Sequence, residues 1–364
     1  MLLDQDTTAD PSPARLRAGR WGEVTPGGGL RAAMRNTQGK SLNLREQRCP
    51  MSDSTTSFFE RAGIDVGAAL ETDPPPLDFI LPGFLSGTVG ILIGSGGAGK
   101  SWLALEIATA IASGGTADLL DLRAAAGGKV LYVCLEDPEL VLLHRVRAIG
   151  QRLGKDQRDV VRENMQVKPL CGGAADLLMP SFRDSLMRAA EGQRLVIVDT
   201  LSRTHAGDEN SNSDMARLLG SFERVCARSG ASVMLVHHTR KGIVTETTER
   251  QHAARGATAL VDNARWGAAL DRMTESESES LTDTEYSDDP LLPLPVTAQR
   301  RGFYCKLSYP KQNYSQPQDE QWFKREEGGV LIPARLEPLA RGPRAEFGAV
   351  KRAASAWKGR PEME

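Results

Sequence analysis

The sequence has few of the residues that mark extracellular or membrane proteins. Aromatic residues make up only 5% of its 364 residues. It has five cysteines without the spacing of a metal site, and an odd, unpatterned set favours a reducing compartment. No apolar run approaches the roughly 18 residues that a membrane helix needs, and no signal-peptide layout opens the chain. We therefore expect a cytoplasmic protein with no membrane partner. The cysteines are Cys49, Cys134, Cys171, Cys226 and Cys305.

An excess of charge of one sign is also absent. The formal net charge is −2, with 25% charged and 40% hydrophobic residues. This composition is typical of a globular protein, and the length allows one large domain or two ordinary ones. Any contact with nucleic acid must come from local basic loops, because the whole chain carries no positive field.

The ends of the chain differ in composition from its middle. Residues 1–73 are rich in Gly, Pro, Ser, Thr and Arg, which predicts a flexible N-terminal extension. Met51 resembles the first residue of a protein, so an alternative is that residues 1–50 lie upstream of the natural start. A proline-rich linker then leads into a predicted domain over residues 74–340. The basic residues 341–364 predict a disordered tail.

Residues 94–101 match the pattern G-x-x-x-x-G-K-[ST] of a phosphate-binding loop. The alternative is a chance glycine-rich turn. Glycines allow backbone N–H groups to surround a phosphate, and a helix N-terminus adds partial positive charge. We expect Lys100 to reach the β- and γ-phosphates of ATP and the Ser101 hydroxyl to hold Mg²⁺. The predicted nucleotide contacts are Gly94, Ser95, Gly96, Gly97, Ala98, Gly99, Lys100, Ser101 and Trp102.

Apolar segments alternate with helical periodicity along the middle of the chain. This alternation predicts an α/β fold with a mostly parallel, twisted sheet and helices on both faces. Ligands bind at the carboxyl ends of the strands in such sheets. The predicted strands are 88–93, 129–135, 194–199, 232–237 and 303–309, and the predicted helices are 100–113, 138–153, 181–191 and 213–229. The acidic segment 274–295 predicts a solvated loop.

Two predicted strands end in acidic residues. Asp199 follows an apolar run, as the Walker B aspartate does, and is expected to hold Mg²⁺ from the strand end next to the phosphate loop. Glu136 is the candidate general base that polarises the attacking water. Asp137 is its rival, although its place before Pro138 also suits the N-cap of the next helix.

Three basic residues are candidates for contacts around the γ-phosphate. His238 ends a predicted strand and is a candidate sensor, with a pair of surface histidines as the alternative. Arg255 is a candidate arginine finger that acts across a subunit interface, with a solvated surface arginine as the alternative. Lys311 follows the last strand and is a second candidate interfacial cation.

Taken in order, these residues resemble the plasmid RepA-type hexameric replicative DNA helicases, a RecA-like group of P-loop AAA ATPases. The resemblance spans roughly residues 74–336. Its more specific segments are His237-His238 and the stretch from Arg255 to Trp266.

The resemblance implies a RecA-like fold, a homohexameric ring, ATP with Mg²⁺ as cofactor, and movement along single-stranded DNA. It assigns working roles to Lys100, Glu136, Asp199, His238 and Arg255. Loops around 204–214 and 240–254 would face the channel, and the DNA contacts would be Arg240, Lys241 and Arg250. These loops also carry acidic residues and no aromatic side chain for base stacking. The alternatives are a recombinase or mediator that coats single strands without unwinding, and a regulatory ATPase that binds no nucleic acid.

Overall fold

The computed structural model describes residues 63–124, 126–173, 175–205, 207, 211–239, 257–284 and 295–339. The helices in these ranges are α1 (Val66–Glu71), α2 (Lys100–Ala112), α3 (Glu139–Gln151), α4 (Lys155–Asn164), α5 (Pro180–Ala190), α6 (Asn212–Ser229), α7 (Ala257–Asn263) and α8 (Glu275–Ser280). Short 3₁₀ turns cover Leu201–Arg203, Arg301–Phe303 and Glu327–Gly329. None of the described helices is long and apolar enough to cross a membrane.

The strands form one large sheet and two small antiparallel pairs. They are β1 (Phe79–Leu81), β2 (Phe84–Leu85), β3 (Val89–Ser95), β4 (Val130–Cys134), β5 (Met165–Pro169), β6 (Leu195–Asp199), β7 (Ser232–Thr239), β8 (Trp266–Arg272), β9 (Leu281–Asp283), β10 (Tyr304–Gln312), β11 (Gln321–Arg325), β12 (Leu331–Pro333) and β13 (Leu336–Pro338). The large sheet has the order β12-β11-β10-β8-β3-β7-β6-β4-β5, and the small pairs are β1-β2 and β13-β9.

The large sheet is mostly parallel. All neighbours from β8 across to β5 run parallel, whereas β10, β11 and β12 are antiparallel to their neighbours. The interior strands β4 and β6 are buried along their whole length, as expected for a sheet that is covered on both faces. The prediction of a mostly parallel α/β sheet is confirmed.

Helices cover both faces of the sheet. On one face, Leu103 and Ile107 of α2 pack with Leu142 of α3 against the sheet core. On the opposite face, Leu218 and Phe222 of α6 share a second core with α5 and α7. The layered arrangement leaves the carboxyl ends of the parallel strands open for ligands.

The predicted strands and helices are observed, and their boundaries differ from the prediction by at most three residues. The order of the strands in the sheet differs from expectation at one point. Asp199 does not lie on the strand next to the phosphate loop, because β7 is inserted between β3 and β6. The sequence pattern also did not predict α4 or β5. Helix α4 has no buried residue and β5 is a half-exposed edge strand, so neither shows a clear apolar pattern.

The acidic segment is not simply a solvated loop, so that prediction is wrong for its described part. Thr274 caps α8 through a reciprocal capping box with Glu277. Glu277 accepts a hydrogen bond from Lys306 at 2.7 Å, and buried Asp283 accepts one from Tyr304 at 2.5 Å. Strand β10 thus supplies a basic and a hydroxyl partner for these two acids, whereas Glu275 and Glu279 are exposed. Residues 285–294 lie outside the described ranges.

Candidate nucleotide-binding site

The phosphate loop connects β3 to α2 at the carboxyl edge of the sheet. Gly94 has a φ of 156°, and a Cβ there would lie 2.2 Å from the carbonyl oxygen of Leu270 on β8. Gly97 and Gly99 have φ values of 73° and 113°, in the region that favours glycine. Gly94, Gly97 and Gly99 are therefore required by backbone conformation, and Gly94 also by the close passage of β8.

Lys100 is the most constrained side chain of the loop. Its Nζ atom donates to the carbonyl oxygens of Gly94 at 2.8 Å and Ser95 at 3.0 Å, and it lies 3.0 Å from His238 Nδ1. Burial lowers the pKa of Lys100 to about 8, while the nearby carboxylates of Asp199, Glu136 and Asp271 act to raise it. A cation is thus held at the mouth of the loop, where the sequence predicts phosphate binding.

Glu136 lies on the other side of His238. Its Oε2 atom is 3.1 Å from His238 Nε2, and its Oε1 atom is 3.9 Å from Arg203 Nε. A lysine ammonium can only donate, so Nδ1 of His238 accepts from Lys100 and Nε2 donates to Glu136. The structure therefore brings the three predicted residues Lys100, His238 and Glu136 into one hydrogen-bonded chain.

Asp199 and Ser101, the two predicted metal ligands, also come together. Burial raises the pKa of Asp199, against hydrogen bonds from Tyr132 and Ser101 that lower it. Tyr132 donates to Asp199 Oδ2 at 2.6 Å. A hydroxyl beside one carboxylate, next to a phosphate loop, suits Mg²⁺, which takes its remaining ligands from water and phosphate oxygens. These residues fit the ion that the sequence implies.

Asp137 has different contacts from Glu136. The N-cap position of α3 is Pro138 and lacks a side-chain cap, so the predicted N-cap role of Asp137 is wrong. Its carboxylate instead accepts from Arg145 at 2.6 Å. The Arg145 guanidinium also lies 5.7 Å from the ring centroid of Trp102. A Cβ on Gly329 would lie 2.6 Å from that ring, so Gly329 also lies close against Trp102.

Several predicted residues are not placed in this site. Arg240, Lys241, Arg250 and Arg255 lie outside the described residues. Lys311 lies on β10 opposite Gly267 of β8, at the end of β10 away from Cys305, which pairs with Arg272. Their predicted roles remain predictions.

Two arginines that the sequence pattern did not single out contact the loop. Arg272 Nη2 donates to the carbonyl oxygen of Gly96 at 3.3 Å, and Arg325 Nη2 donates to that of Ala98 at 3.2 Å. Their positions follow from the pairing of β8 with β3 and from the register of β10 and β11. An arginine at the carboxyl end of a strand was the only signal in the sequence.

Comparisons with known proteins identify a family for this chain. Residues 56–243, just over half of the chain, match the family described as AAA domain. The structure is similar to the crystal structure of the RadB recombinase, with 16% identity and a TM-score of 0.41 over 72% of this chain and 93% of that one. It is also similar to a second solved structure, an ATPase domain, with 10% identity and a TM-score of 0.44 over 73% and 95% of the two chains. The chain belongs to the AAA domain family, and its residues 94–101 have the P-loop pattern of ATPases.

Proposed function

We propose that this ATPase is a DNA helicase of plasmid or phage replication type. In this proposal it assembles as a homohexameric ring and moves along single-stranded DNA as it hydrolyses ATP. Lys100 and the loop N–H groups bind the phosphates, and Ser101 and Asp199 hold Mg²⁺. The ion, when bound, neutralises charge that develops on the phosphates. Glu136 orients the attacking water, and Arg255 of the neighbouring subunit stabilises the transition state.

The observation that carries the proposal is the chain from Lys100 through His238 to Glu136. The contacts at 3.0 Å and 3.1 Å join the lysine of the phosphate loop to the candidate base through one imidazole. His238 lies on β7, directly before residues 240–256, which contain Arg240, Lys241 and Arg250. A change at the phosphates can therefore reach the basic segment through the hydrogen bond from Lys100 to His238, because His238 lies just before Arg240 in the chain.

The same carboxylate has a second basic neighbour. Arg203, 3.9 Å from Glu136, ends the 3₁₀ turn that leads into the segment predicted to face the channel around 204–214. Glu136 thus has neighbours at the start of both segments that we propose to face the channel. This arrangement supports a coupling between DNA binding and hydrolysis.

A ring would also compensate for the low net charge of a single chain. The chain has a net charge of −2, so one copy has little general attraction for DNA. Six copies of the 240–254 segment around one channel would concentrate its basic residues where phosphates pass.

Unwinding of a forked DNA substrate, with and without ATP, tests the proposal. We expect ATP-dependent strand separation by the wild type and none by Lys100→Ala, which should lose ATP turnover. Hydrolysis that single strands stimulate without any unwinding would contradict the helicase and favour the recombinase or mediator alternative. Hydrolysis that is indifferent to DNA would favour the regulatory ATPase. Normal ATP turnover by Lys100→Ala would refute the loop assignment itself.

A further inference from the structure

Two guanidinium groups contact the phosphate loop through its carbonyl oxygens. Arg272, at the end of β8, is exposed and donates to Gly96 O at 3.3 Å. A Cβ on Gly97 would lie 2.3 Å from its Nη2 atom. The arginine therefore lies directly on the loop backbone, and the glycine at position 97 makes room for it.

Arg325 makes the matching contact from β11. Its Nη2 atom donates to Ala98 O at 3.2 Å and would lie 2.7 Å from a Cβ on Gly99. Its side chain is half-buried, and its Nε atom has no hydrogen-bond partner among the described residues. The guanidinium thus satisfies a loop carbonyl while part of its own donor capacity is left unused.

The strand that carries Arg325 is fixed to the helix that follows the loop. Buried Glu106 of α2 accepts a hydrogen bond from the backbone N–H of Leu331 on β12 at 2.9 Å. Strand β12 pairs with β11, with Leu331 opposite Arg325. Because α2 and β11 are joined through this contact, Arg325 has a defined position relative to the loop.

Because the peptide group is planar, a contact that holds a loop carbonyl also fixes the direction of the next N–H group. In a trans peptide the carbonyl of one residue and the N–H of the next point in opposite directions. A cation that holds the Gly96 carbonyl therefore turns the N–H of Gly97 to the other side of the loop, and Arg325 does the same for the N–H of Gly99 through Ala98. Preorganised N–H groups bind an anion better than groups that must first be ordered.

We propose that Arg272 and Arg325 are positioning residues of the phosphate loop. They hold its carbonyl groups so that its N–H groups are preset for the phosphates, and they set the affinity for nucleotide more than the rate of hydrolysis. This inference rests on the proposed ATPase site, but it requires neither DNA binding nor unwinding.

The test is the Kd of a fluorescent ATP analogue, measured with Mg²⁺ on the full chain, together with steady-state KM and kcat. We expect Arg272→Gln and Arg325→Gln each to raise Kd and KM by about tenfold, equivalent to ~1.4 kcal/mol. We expect kcat at saturating ATP to stay close to that of the wild type. Arg272→Lys and Arg325→Lys should recover only part of the affinity, because an ammonium lacks the planar fork of donors.

Arg301→Gln is the matched control, since the Arg301 guanidinium pairs with an exposed acid, Glu275, at 3.7 Å. Unchanged Kd in both Gln variants, with a wild type that binds the analogue, would overturn the inference alone. Full recovery by the Lys variants would also contradict it, because charge alone would then suffice. A wild type that binds no nucleotide would instead refute the proposed ATPase site. If Arg325→Gln fails to fold, Arg272→Gln alone tests the inference, because the Arg272 side chain is exposed.

Discussion

His238 Nδ1 lies 3.0 Å from Lys100 Nζ, so the histidine at the end of β7 is bonded to the lysine of the phosphate loop across the β3–β7 pair. The register explains the contact, because His238 is the direct partner of Gly94, the first residue of the loop motif. When Lys100 binds a phosphate, this bond and the bonds to two loop carbonyls compete with the ligand. The histidine is therefore placed to respond to nucleotide.

We predict different consequences for the two neighbouring acids. Glu136→Gln should lower kcat for ATP hydrolysis by about 10²–10⁴, as expected for loss of a general base. Asp137→Asn is the matched control, because that carboxylate pairs with Arg145, and it should change kcat little. Steady-state ATP turnover measures both. A larger loss in Asp137→Asn would assign the base to Asp137.

His238→Ala should break the connection between Lys100 and Glu136. We predict that the variant retains slow ATP hydrolysis but loses its stimulation by single-stranded DNA, since β7 leads directly into the basic segment. His144→Ala on the exposed face of α3 is the control. Turnover measured with and without a single-stranded oligonucleotide decides the matter, and undiminished stimulation in His238→Ala would argue against the coupling.

Arg255→Ala tests the contribution of a neighbouring subunit. We predict that this variant binds nucleotide normally but does not hydrolyse it, because in our proposal the arginine acts on the transition state. Mixed with Lys100→Ala subunits, which keep Arg255, it should regain part of its turnover. Absence of any recovery across the mixing ratios would show that the arginine does not act in trans.

Glu106 predicts a pH dependence of stability. Burial raises its pKa from 4.5 to about 8, although the N–H of Leu331 and the charge of Arg152 act to lower it. Between these values the unfolded chain releases a proton that the folded chain keeps, so the free energy of unfolding falls as pH rises. The contribution is complete below the unfolded pKa of 4.5 and is lost as pH passes through about 8.

Glu106→Gln removes this titration and keeps a carbonyl acceptor for Leu331. We expect the Tm of the wild type to fall relative to that of the variant by roughly 3 °C or more between about pH 5 and about pH 9. Calorimetry at several pH values measures the difference. Parallel Tm curves for the two proteins would mean that Glu106 has an ordinary pKa.

The sequence could predict what depends on local pattern. The loop motif between apolar β3 and helical α2 could be predicted because its residues are consecutive. Glu136, Asp199 and His238 could be identified because each lies at a strand end. Contacts between distant strands could not be predicted from the sequence. Arg272 and Arg325 lie 176 and 227 residues from the carbonyls that they hold, and only the strand register brings them there. Polar α4 was missed because it buries no residue that would give a periodic signal.

The most direct test of the account is a structure of the protein with Mg²⁺ and a non-hydrolysable ATP analogue. We predict that the triphosphate lies in the loop of residues 94–101, with Lys100 Nζ bonded to a phosphate oxygen and no longer to the carbonyls of Gly94 and Ser95. His238 should have exchanged its bond to Lys100 for one to the ligand. An analogue bound elsewhere, or a loop closed by side chains with Lys100 still on both carbonyls, would contradict the account.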